Sequence, residues 1–65
     1  MKFAYDSRAD LSNLELLPGV PVADFTEAYG VVFEHAADLS PDFRRGVYSF
    51  TSASFPAIVG ILRAI

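Results

Sequence analysis

The most strongly patterned stretch of the chain is DFTEAYGVVFEHAAD, Asp24 to Asp38, and it constrains the fold more than any other segment. Asp24 is a good helix N-cap, and Glu27 stands three residues later, as in a capping box. At about 100° per residue, Phe25, Tyr29, Val32, Phe33 and Ala36 fall within roughly 100° of one another and form an apolar stripe. No proline interrupts the pattern before Leu39, so a single amphipathic helix is expected. Gly30 is the one poor helix former inside it, costing up to ~1 kcal/mol relative to alanine.

Other segments add shorter elements. Ala9, Leu11, Leu14 and Leu17 recur at helical spacing before the breaker Pro18-Gly19, which predicts a short helix. Ser40, Pro41 and Asp42 form a helix start, because serine caps, proline suits the first helical position and a carboxylate suits the positive first turn. Phe43, Val47, Phe50 and Ser54 continue at helical spacing to about Thr51, although VYSFTS consists of strand formers and leaves a turn and strand open. The C-terminal FPAIVGILRAI places Ile58, Ile61, Leu62 and Ile65 on one face of a helix with Pro56 near its start. The expected fold is mainly α, a compact single domain, residues 1–65, of three to four short helices. The alternative is α+β, with a small sheet from residues 2–5 and 47–52 packed on the central helix.

A chain of 65 residues has room for one core, and a thin one, since a domain this small buries only about 60% of its unfolded surface. It has no cysteine to supplement that core with disulfides or thiolate metal sites. Hydrophobic residues nevertheless make up 52% of it, so some apolar surface is expected to meet a partner or a second copy. The N-terminus lacks the apolar stretch of a secretion signal, and the longest uncharged run is broken by Pro56 and several hydroxyl residues. A cytoplasmic protein with no membrane association is expected.

The single histidine argues against a dedicated metal site at Glu34, His35 and Asp38, because zinc sites take three or four ligands and favour several His or Cys. His35 is expected to flank the acidic face, where carboxylates favour its protonated form. No nucleophile elbow, phosphate loop or dinucleotide fingerprint is present, and the four glycines are isolated. No catalytic residue, cofactor or enzymatic activity is expected.

Charge is informative where chemistry is not. Net charge is −3, but from Ala9 to Phe43 there are seven acids and no Lys or Arg. On the expected helix Asp24, Glu27, Glu34 and Asp38 lie within roughly 80° of one another, opposite the apolar stripe, with axial steps of about 4.5, 10.5 and 6 Å. A face of one sign forgoes the stabilising opposite-charge pairs of ordinary surface helices. It disfavours direct binding of nucleic acid and favours a basic protein surface. Val31, exposed beside this ladder, would add an apolar contact and Asp42 would extend the field, so the expected partner-binding set is Asp24, Glu27, Val31, Glu34, Asp38 and Asp42. Arg44 and Arg45 are expected to pair locally with Asp42 or the acidic face.

The segment EAYGV, Glu27 to Val31, resembles a short helix-entry segment in one of the small phage-encoded anti-CRISPR proteins, a similarity over five residues of 65. The resemblance implies an inhibitor that occupies a basic nucleic-acid-binding surface on a CRISPR effector, in some members by imitating DNA. From the residues, the expected function is a small acidic non-enzymatic binding protein directed at such a surface. The alternative is a structural or accessory module, a homo-oligomer or small subunit, that uses its apolar C-terminal segment as interface.

Overall fold

The computed structural model describes residues 1–17, 19, 22–36 and 43–64. It contains five strands, β1 (Lys2–Asp6), β2 (Leu11–Glu15), β3 (Asp24–Ala28), β4 (Val31–His35) and β5 (Val47–Phe50). A 3-10 turn, Ser52–Ser54, then runs directly into α1 (Phe55–Ala64). The fold is therefore α+β and not mainly α: of the expected helices only the C-terminal one forms among the described residues. The alternative arrangement is corrected as well. Strands do occupy residues 2–6 and 47–50, but β2 separates them and no central helix lies beneath them. The helix start expected at Ser40, Pro41 and Asp42 lies outside the described residues.

The expected central helix is a β-hairpin. Tyr29 (φ 56) and Gly30 (φ 75) form its two-residue loop, with Ala28 facing Val31 across it. Two successive positive φ values give a turn whose twist matches that of paired strands, and Gly30 supplies one of them without steric cost. A Cβ on Gly30 would also meet Ser54 Oγ at 2.5 Å, so this glycine admits the start of the helical segment against the turn. In β4 the alternation is complete, with Val31, Phe33 and His35 buried and Val32 and Glu34 half-buried on the other side. β2 was expected as a helix for a similar reason, yet its alternation is equally regular: Ser12 and Leu14 are buried, whereas Leu11 and Asn13 are exposed.

The strand order is β1-β2-β5-β4-β3 and every pairing is antiparallel. The last strand thus inserts between two hairpins and joins them. Leu14, Val31, Phe33, Tyr48 and Phe50 project from β2, β4 and β5 to one face, where they pack with Ile58 of α1. Ala57 and Ile61 complete the contact. Strands lie about 4.8 Å apart and a helix is about 10 Å across, so one helix covers the middle of the sheet and leaves both edge strands open. All residues of β1 and β3 are exposed.

Asp10 ties the β1–β2 turn to the start of the helical segment. Its carboxylate accepts hydrogen bonds from the Tyr5 hydroxyl at 3.0 Å, from the Ser52 hydroxyl and from the Ser52 backbone N–H at 3.3 Å. Thr51, the N-cap of the 3-10 turn, makes no side-chain cap bond, so Asp10 serves the turn from 42 residues away. These bonds, that of the Ser52 hydroxyl first and that of the Tyr5 hydroxyl second, hold the Asp10 carboxyl below its ordinary value of 3.8. A carboxyl depressed in the folded state adds stability above its unfolded pKa and loses it as pH falls through the folded value. Asp10→Asn keeps a residue that tolerates the positive φ of 49 at this position. It is expected to lower the melting temperature at neutral pH, with the difference from wild type shrinking in melts recorded below the ordinary carboxylate range.

Candidate functional site

Residues opposite one another in antiparallel strands point to the same side of a sheet. On the face away from α1, one row across β1, β2, β5, β4 and β3 is therefore Lys2, Glu15, Val47, Glu34 and Phe25. The next row is Ala4, Asn13, Ser49, Val32 and Glu27. No helix or strand among the described residues covers this face. Its centre is apolar, with Val47 and Val32 half-buried by their neighbours, and carboxylates stand around it. Glu15 and Glu34 flank Val47 and lie two strands apart, about 9–10 Å. Glu27 sits diagonally from Glu34, about 7–8 Å away. A shallow depression of about 410 Å³ opens beside them, lined by Val22, Ala23, Asp24, Phe25, Val32 and Glu34.

The hairpin redistributes the expected site. Glu27 and Glu34 do share a face, but the helical ladder is gone. Asp24 lies in register with His35 and so falls on the opposite face from Glu27, and its Oδ1 accepts a hydrogen bond from the Phe25 N–H at 2.8 Å. Val31 is not an exposed contact: it is 4% exposed and part of the core. The apolar contribution comes instead from Val32, Val47 and Phe25. Asp38 and Asp42 lie outside the described residues. Glu15, which the expected site omitted, joins the acidic face because β5 brings β2 beside β4. The period-two alternation of LSNLE was the available signal for it.

His35 does not flank an acidic face. It is 8% exposed, lies with Phe33 on the α1 side at a ring separation of 5.3 Å, and has both ring nitrogens engaged. Nδ1 donates to the Ala36 carbonyl at 2.9 Å, since a carbonyl only accepts, and Nε2 meets the Thr26 hydroxyl at 3.1 Å. The ring is a packed core group. Among the described residues no cluster of three or more His, Asp or Glu is arranged to hold a metal ion.

No family model, curated protein or solved structure matches the chain. The functional reading therefore rests on the geometry of its surfaces.

A second depression, about 270 Å³, lies beside α1 and is lined almost wholly by apolar groups, including Ala28, Tyr29, Val31, Phe33 and Ile61. Small-molecule sites ordinarily add a few free polar groups that fix orientation. Here the Thr26 hydroxyl is engaged by His35, and the Tyr48 hydroxyl donates to the Phe43 carbonyl at 2.7 Å. The C-terminal segment, the interface of the alternative expectation, spends its apolar face internally: Ile58 is buried and Ile61 packs on the core, leaving Phe55 and Leu62 exposed. Among the described residues no helix is long and apolar enough to cross a membrane.

Proposed function

We propose that this chain is a non-enzymatic binding domain that offers the open face of its sheet to a basic surface on a nucleic-acid-handling protein, and inhibits by occupying that surface. The observation that carries this reading is the composition of the face: an apolar centre at Val32 and Val47 ringed by Glu15, Glu27 and Glu34. An apolar centre inside a charged rim is the ordinary layout of a protein-binding surface. Three acids, Glu15, Glu27 and Glu34, outnumber the one cation of these rows, Lys2, and such an acidic excess steers a cationic partner and repels nucleic acid, so the target is the protein that holds the polyanion. The carboxylates act as docking charges around a flat apolar patch.

The test is retention of heparin-binding proteins from a bacterial lysate by the immobilised chain, with duplex DNA added as competitor. DNA is expected to displace the retained protein. Joint replacement Glu15→Lys and Glu34→Lys is expected to weaken retention by about tenfold per reversal, because the rim then repels the partner. Leu62→Ser, on the far side of α1, should leave retention unchanged. Retention at wild-type strength by the doubly reversed protein, with its fold intact, would sink the proposal.

A further inference from the structure

We propose that the chain self-associates through β1 into a two-fold dimer, in which two sheets join edge to edge and antiparallel with Ala4 on the axis. β1 is an edge strand exposed along its whole length, and such an edge presents unpaired N–H and C=O groups to another chain. Its sequence, KFAYD, complements its own reverse. A two-fold axis perpendicular to the sheet requires a register centred on one residue, and centring on Ala4 uses all five. Lys2 then stands opposite Asp6 of the second copy, Phe3 opposite Tyr5, and Ala4 opposite Ala4.

The charged and aromatic pairings are of a favourable kind, since opposite charges and aromatic pairs stabilise directly facing strand positions, and Ala4 against Ala4 is neutral. The faces agree as well. Lys2 and Asp6 lie on the open face, in register with Glu15 and Leu11, while Phe3 and Tyr5 lie on the α1 face, in register with Leu14 and Ser12. The same axis keeps both helices on one side of the joined sheet. Phe3 is 58% and Tyr5 52% exposed, because α1 does not reach this edge. In the dimer their rings fill the space between the two helices. Lys2 becomes the centre of a row that runs from Glu15 to Asp6 of the second copy. Tyr5 keeps its hydroxyl on Asp10, and among the described residues Asp6 engages Oδ1, which accepts from the Arg8 N–H at 3.0 Å.

The opposite edge has no such match. β3, DFTEA, paired with itself about Thr26 would bring four carboxylates to the seam and no cation. Pairing β1 with β3 antiparallel would set Asp6 against Asp24 in the register that uses both strands fully, and parallel pairing would use the slanted ladder that is slightly less stable per residue. Like charges at facing positions destabilise a strand pair. The edges thus favour one closed dimer over a filament.

The experiment is sedimentation velocity over a concentration series on the full chain without an N-terminal tag, for wild type, Lys2→Glu, Asp6→Lys and an equimolar mixture of the two variants. Wild type is expected to dimerise, more weakly as salt is raised. Each variant alone should dimerise on the order of tenfold more weakly or worse, because two attractive pairs become repulsive. The mixture should recover dimer, since the introduced carboxylate of one variant faces the introduced ammonium of the other, and its native Lys2–Asp6 pair also forms. Thermal melts of both variants should show folded protein at a somewhat lower melting temperature, since both positions are exposed but Lys2 faces Glu15 and Asp6 accepts from the Arg8 N–H. Wild type that stays monomeric at millimolar concentration, variants that associate like wild type, or a mixture no stronger than its components would each overturn the proposal.

Discussion

Replacing Gly46 with alanine is expected to leave the chain largely unfolded at room temperature. Gly46 precedes β5 at φ 135, a backbone region that side chains with a Cβ rarely enter. A Cβ built there would stand 2.2 Å from the Glu34 carbonyl oxygen and 2.8 Å from the Phe33 ring. Neither obstacle can yield cheaply: the carbonyl belongs to the β4 backbone, paired to β5 on one side and β3 on the other, and the ring is in the core. Backbone strain alone costs on the order of 1–3 kcal/mol, and overpacking adds a similar amount. A domain of this size has total stability of only about 3–10 kcal/mol. Circular dichroism melts and amide dispersion in a two-dimensional NMR spectrum measure the outcome. Gly60→Ala is the control, because nothing lies within 4 Å of its added Cβ and it sits inside α1. That change should stabilise by up to ~1 kcal/mol through helix propensity. A Gly46→Ala protein melting with wild type would mean that β5 does not approach β4 as described.

The severity expected at Gly46 follows from a topology that local sequence patterns do not reveal. β5 joins two hairpins, and its pairing with β2 links residues such as Ser12 and Phe50. α1 was legible because its whole signal is local: Pro56 near the start, then Ile58 and Ile61 on the face that meets the sheet. The segment Asp24–Asp38 misled because Phe25, Tyr29, Val32, Phe33 and Ala36 satisfy a helical stripe by coincidence. The decisive residue was Gly30, where a cost of ~1 kcal/mol in a helix becomes an advantage in a turn with positive φ. Once VVFEH is a strand, alternation places Val31 inside and Glu34 outside. The candidate surface was legible to the same degree: Glu27 and Glu34 point away from the core under either geometry, but Glu15 enters only through β5. The Asp10–Ser52 link also depends on that assembly.

Tyr48→Ala is expected to cost about 3–5 kcal/mol, the range for removing a large aromatic ring from a core, and Tyr48→Phe only about 1 kcal/mol. Tyr48 is 1% exposed and lies on the central strand, where its ring stacks on Phe33 at 4.6 Å. Among the described residues the core has six buried hydrophobic side chains, and none of the others is as fully enclosed. Truncation would open a cavity under α1 that the sheet cannot close, because Leu14 and Phe33 are held on either side by strand pairing. The hydroxyl is a smaller matter. It donates to the Phe43 carbonyl, and Phe43 is itself an exposed residue, so water can replace the lost donor. Chemical denaturation of both variants separates the two contributions. A loss for Tyr48→Phe as large as that for Tyr48→Ala would show that the bond anchoring the segment before β5, and not the packing of the ring, holds the two hairpins together.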